Sequence, residues 1–150
     1  MDKTLKSEIL DLLGKHRIMT IATLRPDGWP QATTVGYANE GLILYFVCGT
    51  DSQKAANLAK DNRVSLTIDS DADQLIDIKG LSMAAHAERL TDRAEGMMMM
   101  GLMFSNYPEQ KGIPFEPPKF EDVAVFRVTP KVISILDYSK GFAHTDLVTV

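Results

Sequence analysis

A glycine, an aspartate, a serine and a lysine crowd the stretch 48-CGTDSQKAANL-58, just ahead of a run of good helix formers. Placed after a strand, Asp51 or Ser52 can cap the helix that follows, which leaves free backbone N–H groups at a terminus that favours anions. Lys54 adds a point charge in the first turn and Ser52 a hydroxyl, so three kinds of phosphate donor converge. A lysine in a helix's first turn opposes the macrodipole, and a bound anion would account for it. The competing reading is a capped helix with a solvated lysine. Spacing alone favours that reading, because Asp and Ser caps are common.

The remaining chemistry-bearing residues are less organised. Ser82 in 80-GLSMA-84 sits one residue away from the G-x-S-x-G elbow of serine hydrolases, and Asp137 and His144 follow in the order Ser, Asp, His. That elbow needs a parallel α/β sheet, which the strand pattern below does not supply. Histidines 16, 86 and 144 have no metal-ligand spacing, and no metal site is expected. His144 is the most interesting of them, because 138-YSKGFAH-144 joins a glycine, an aromatic and a histidine in an ordered tail. The lone Cys48 excludes an intrachain disulfide and a Cys-pair metal site, which fits a reducing interior. Met97–Met100 and Met103 are five of the eight methionines. Four in a row face every side of a helix, so they must meet core, a partner surface or an apolar ligand.

These residues need elements to hold them. Leu5, Ile9, Leu12 and Leu13 predict an amphipathic helix over 3–14. Residues 17–24, 31–38 and 42–48 read as strands joined by the turns 25-RPDGWP-30 and 39-NEG-41, an antiparallel meander. A helix over 52–61 and a strand over 63–69 follow. Residues 75–90 read as a long strand interrupted at Gly80. A helix capped near Thr91 and Asp92 runs to Phe104. Pro108, Pro114, Pro117 and Pro118 make 105–122 a surface loop. Strands 123–128 and 131–138 are separated by Thr129 and Pro130, and the tail to Val150 is too apolar to be left in water. The fold class is therefore mainly β, an antiparallel split barrel of six or seven strands with short covering helices.

A chain of 150 residues fits one domain, 1–150. With 45% hydrophobic and 24% charged residues its composition is that of a globular protein. A net charge of −4 and the lack of a basic tract argue against nucleic acid. No apolar run is long enough to span a membrane and no export signal is visible, so a cytoplasmic protein is expected.

The stretch 18-IMTIATLRPDGWPQATTVGYANEGLILYFVCGTDSQKAANLAKDNRVSLTI-68 resembles the pyridoxamine 5′-phosphate oxidase-like family of FMN-binding split β-barrels. The likeness rests on the threonine-bearing first strand ending in D-G-x-P, the strand–turn–strand pair, and the S-x-K helix start followed by N-L and an N-x-V strand. Segments 78–92 and 137–142 are similar to small bacterial members described as general stress proteins.

The resemblance implies FMN at a homodimer interface, with its phosphate on Ser52 and Lys54 and Gln53 beside them. It places Phe46, Val47 and Cys48 along the flavin ring and implies contacts from Thr33, Thr34 and Val35, with Lys79 and Ser82 further out. Phe142 and His144 would reach the partner subunit's flavin, and His144 is the one catalytic candidate. Adaptable core or interface packing is the favoured reading of the Met run, and soft packing against a flavin or an apolar substrate is its alternative.

Two departures lower the expectation of vitamin B6 chemistry. Gln53 stands where the oxidases have arginine, and the tail has no arginine at all. The expected activity is electron transfer through FMN with a small-molecule donor and acceptor. The alternatives are a flavin store or stress sensor without turnover, and a relative using deazaflavin F420 or haem.

Overall fold

The computed structural model describes residues 1–107 and 115–150. The expected prolines at 108 and 114 lie outside the described residues. Helix α1 (Lys3–Lys15) opens with Asp2, whose carboxylate accepts the N–H groups of Thr4 and Leu5. It leads into strands β1 (Ile18–Leu24) and β2 (Pro30–Gly36), paired from Ile18 opposite Gly36 to Leu24 opposite Pro30. The turn between them needs Gly28, whose φ of +83° is open to glycine at no cost.

The expected meander does not continue. Strand β2 stops at Gly36, the chain bends at Tyr37, and a short β3 (Ala38–Glu40) pairs with β4 (Ile43–Gly49). Tyr37 fixes the bend: its N–H donates to Arg17 O, and its hydroxyl donates to Leu13 O and His16 O at 2.7 and 3.0 Å. One bent run of chain thus belongs to both ends of the sheet path β2-β1-β5-β6-β7-β4-β3 and curls it into a split barrel.

Helix α2 (Gln53–Lys60), β5 (Arg63–Asp69), β6 (Lys79–Arg89) and α3 (Arg93–Ser105) follow, the last capped by Asp92. Gly80 does not interrupt β6. It pairs with Asp69 and Leu136, and a Cβ there would press within 3.0 Å of Asp69 Cβ and Ile68 O.

Nor do Thr129 and Pro130 split the next strand, since β7 (Val123–Asp137) runs straight through them. On the β6 side the register slips between Ala84 and Ala85, a bulge that takes up the extra residue. On the other side β4 pairing ends at Val128 and β8 (Thr145–Thr149) begins at Val132. Pro130 therefore sits in a gap between neighbours, where its missing N–H is tolerated. Strand β8 is where the apolar tail goes. Seven strands follow one path and β8 lies beside it on β7, one strand more than the sequence suggested.

The barrel is filled by inward residues such as Met19, Ile21, Leu66, Ile68 and Ile133, and α1 contributes Ile9 and Leu13. Phe46 stacks on Phe126 with ring centroids 5.2 Å apart. A second cluster, Tyr45, Leu90, Met99, Met100 and Val125, joins α3 to β4 and β7. Gly96 lets α3 come this close to the Phe120 ring, which a Cβ would overlap.

The outward face of β2, β1, β5 and β6 has no such cover. In register across it lie Thr34, Thr20, Thr67 and Ser82, all exposed, then the half-buried Ser134 of β7. Among the described residues no helix is long and apolar enough to cross a membrane.

Candidate functional site

The start of α2 combines a capped helix with unused donors. Ser52 is the N-cap: its Oγ donates to Gly49 O at 2.7 Å and accepts from Ala55 N–H at 3.2 Å. Its hydroxyl is thus committed to the chain, whichever of Asp51 and Ser52 spacing had favoured. The N–H groups of Gln53 and Lys54 bond to nothing among the described residues. Lys54 itself is half-buried and has no ion pair or hydrogen bond there either. A partly desolvated ammonium, set against the positive end of a helix, is unfavourable without an anion.

Gln53 turns the other way. Its Nε2 donates to Asn57 Oδ1 at 2.8 Å, and Asn57 in turn donates to Thr23 Oγ1 at 2.9 Å and Gln31 Oε1 at 3.1 Å. Asn57 is fully buried and Thr23 nearly so. This network ties α2 to β1 and β2 and so sets where Lys54 stands. Sequence reading had passed over Asn57, Thr23 and Gln31. The N-L pair in α2 was the available signal, but a polar residue on a short helix reads as surface.

The two strands expected to flank a flavin do form opposite lips of one gap. Pairing of β3 with β4 ends at Ala38 and Tyr45, and β2 pairs with β1 from Gly36 onward. Beyond Tyr45, β4 is thus left facing β2 without ladder bonds, and Gly36 and Val47 line one cavity. Thr33, Val35 and Gln31 share one face of β2 while Thr34 looks outward. The Thr33 hydroxyl oxygen is buried without a partner, an open position for a ligand's hydrogen bond. Val47 and Cys48 are half-buried, whereas Phe46 is wholly buried against Phe126, so only its backbone can face a ligand.

The other expected residues lie apart from this gap. Lys79 starts β6 with its Nζ 3.4 Å from Asp137 Oδ2, and Ser82 is exposed on the outer face. Asp137 is buried, and its carboxyl is held below the ordinary value first by the Ser139 hydroxyl, then by Ser139 N–H and Lys79.

Phe142 and His144 belong to the turn before β8. Phe142 is 87% exposed, its ring edge-on to Tyr138 at 5.5 Å, and Ala143 beside it has a left-handed φ of +52°. His144 Nε2 is 3.1 Å from Asp146 Oδ2, and Lys140 bridges Asp146 and Glu8. Cys48 pairs with Ala124 and Thr145 with Leu136, which separates the two groups by about 40 Å along β7 at about 3.3 Å per residue. One chain does not bring Ser82, Phe142 or His144 to the gap. Ser82, Asp137 and His144 form no hydrogen-bonded triad, since Asp137 and His144 have other partners. Among the described residues no group of three His, Cys, Asp or Glu could hold a metal ion.

Known structures share this architecture. A conserved hypothetical protein of Mycobacterium tuberculosis matches with a TM-score of 0.78 at 25% identity, over 97% of this chain and 91% of its own. A Clostridium acetobutylicum protein related to general stress protein 26, of the pyridoxinephosphate oxidase family, matches at 0.72 and 19% identity, over 100% and 97%. HutZ, a haem storage protein of Vibrio cholerae, matches at 0.67 and 19%, over 97% and 94%. No curated protein matches. The sequence model described as pyridoxamine 5′-phosphate oxidase matches residues 5–137. A match over that span, on a split antiparallel barrel with an S-x-K helix start, makes this chain a member of the pyridoxamine 5′-phosphate oxidase family.

Proposed function

We propose that this protein is an FMN-dependent oxidoreductase that works as a homodimer. The observation that carries the reading is Lys54, half-buried at the start of α2 and, among the described residues, unpaired beside the unbonded N–H groups of Gln53 and Lys54. Those donors suit a phosphate, and the Thr33 hydroxyl suits a polar edge of the ring or ribityl chain. FMN, when bound, supplies the electron-transfer chemistry. The chain anchors its phosphate at α2, orients its ring between the lips of the β2–β4 gap, and keeps water from it with Val35 and Val47. His144, already hydrogen-bonded to Asp146, is placed to hold a proton near the ring only if it comes from a second copy.

Dimerisation is supported by the uncovered sheet face, whose central row of threonines and serines is uncharged, with Arg63 and Asp69 at the two ends of β5. The projecting Phe142 would then meet the other copy's gap. The small-molecule donor and acceptor would enter from solvent at the dimer seam.

The test is an absorption spectrum of the protein as purified, with mass spectrometry of what denaturation releases. Flavin bands and FMN are the expected result, and a colourless protein that FMN does not reconstitute would overturn the cofactor. Reduction by NADH or NADPH in stopped flow separates an enzyme from a flavin store or stress sensor, since a store shows no reoxidation by added acceptors. Haem is a second reading, favoured by the likeness to HutZ. A Soret band in the same spectrum would establish it, with His144 the most available ligand, half-exposed and bonded only to Asp146.

A further inference from the structure

We propose that the cavity between α3 and the β2–β4 gap binds an uncharged, flat aromatic molecule of one or two rings, beside the cofactor and not in its place. The cavity measures about 300 Å³ and is lined mainly by Val47, Met100, Met103, Phe104, Tyr107 and Phe115. That volume lies at the lower end of small-molecule pockets, about 300–1,000 Å³, which suits a small ring system and not an entire flavin nucleotide.

The lining selects chemistry as well as size. Among the described residues no acidic, basic or histidine side chain borders the cavity, and a charged ligand would be desolvated there without compensation. Three aromatic side chains offer edge and face contacts, and the two methionine thioethers make soft contacts with ring edges. Met100 and Met103 also belong to or pack on the second core cluster with Met99, which does not line the cavity, and Met97 and Met98 are exposed.

The wall is anchored rather than loosely collapsed. The Tyr107 ring lies 4.7 Å from the Arg17 guanidinium, and Arg17 also donates to Asn106 O at 3.1 Å. Asn106, the C-cap of α3, donates its side-chain N–H to Tyr37 O at 3.2 Å. The end of α3 is thereby pinned to the same bend that curls the sheet into a split barrel, which holds Tyr107 opposite Val47. Because Val47 and Gly36 also border the gap proposed for the flavin ring, a molecule seated here would lie next to that ring.

The inference stands on the lining residues and does not need FMN, so the two are tested apart. Isothermal titration with 1-naphthol and 1-naphthoate compares one ring system with and without a charge, on the protein as purified and after loading with FMN. Saturable naphthol binding is expected, with naphthoate weaker by about tenfold or more because its carboxylate meets no cation among the described lining residues. FMN loading should leave naphthol affinity within about twofold. Phe104→Lys, at a side chain 39% exposed and therefore tolerant, should shift the preference toward naphthoate by about fivefold.

Equal affinity for the two compounds, or no saturable naphthol binding, would overturn the proposal. Displacement of naphthol by FMN would also overturn it, by making the cavity the seat of the flavin ring itself. A protein that takes no FMN leaves the naphthol comparison decisive.

Discussion

Replacing Asn57 tests whether α2 is held to the barrel by its buried amide network. In Asn57→Ala three hydrogen bonds go, to Thr23, Gln31 and Gln53. Gln53 is exposed and Gln31 half-buried, so both amides can turn to water at little cost. Thr23 is 2% exposed and cannot, and a stranded buried hydroxyl costs about 1–3 kcal/mol. The lost contacts of the side chain itself add about 1 kcal/mol, so the variant should lose about 2–4 kcal/mol.

Urea unfolding at one fixed protomer concentration reads this loss as a change in midpoint. The sharper form is a double-mutant cycle. Asn57→Leu alone strands Thr23, whereas Thr23→Val with Asn57→Leu replaces both partners by apolar groups and should recover about 1 kcal/mol or more. A loss below about 1 kcal/mol for Asn57→Ala, or strict additivity in the cycle, would refute the reasoning.

Two glycines of α3 make an internal control. Gly96→Ala drives its Cβ into the Phe120 ring and should destabilise by about 1–3 kcal/mol, while Gly101→Ala meets nothing within 4 Å and should stabilise by about 1 kcal/mol. Thermal melts of the pair check it, and equal shifts would contradict it. For Asp137 the folded carboxyl titrates below its ordinary 3.8, so the stability it contributes is full above that value and is lost as pH falls through the lowered one. Asp137→Asn should therefore cost stability at pH 7 and progressively less as pH falls below 3.8, and a cost that does not change with pH would be the contrary result. Light scattering at micromolar protein should give a dimer, and Thr67→Lys, in the middle of the uncovered face, should shift it toward monomer. A wild-type monomer would count against the dimeric site.

Most of the elements were legible because their signals are local. Ser52 and Asp92 cap helices where their types say they should, and the alternation in Arg63–Asp69 reads directly as a half-buried strand. What was not legible depends on distant partners. Pro130 looked like a strand end, and it is not one because a bulge and a change of neighbouring strand meet there. Tyr37 reads as the next-to-last residue of a strand over 31–38, and the chain bends there because its groups reach Leu13, His16 and Arg17.

The same division holds at the site. The start of α2 could be picked out as a candidate because a helix start is a local feature, although the Ser52 hydroxyl is taken up by Gly49 O and Ala55 N–H. Gln53 was grouped with them by position alone, yet its amide turns to Asn57, whose partners Thr23 and Gln31 lie in a hairpin far back in the chain. The aromatic cavity could not be seen from any one segment, since Gly36, Val47 and Phe104 meet only in the folded barrel.

The most direct measurement is the affinity of wild type and Lys54→Ala for FMN and for riboflavin, by fluorescence quenching. A phosphate held by Lys54 predicts a loss of about tenfold or more for FMN, as for a charge-assisted contact, with riboflavin unchanged within about twofold. Equal losses for both flavins, or no loss for FMN, would contradict the placement of the phosphate at the start of α2.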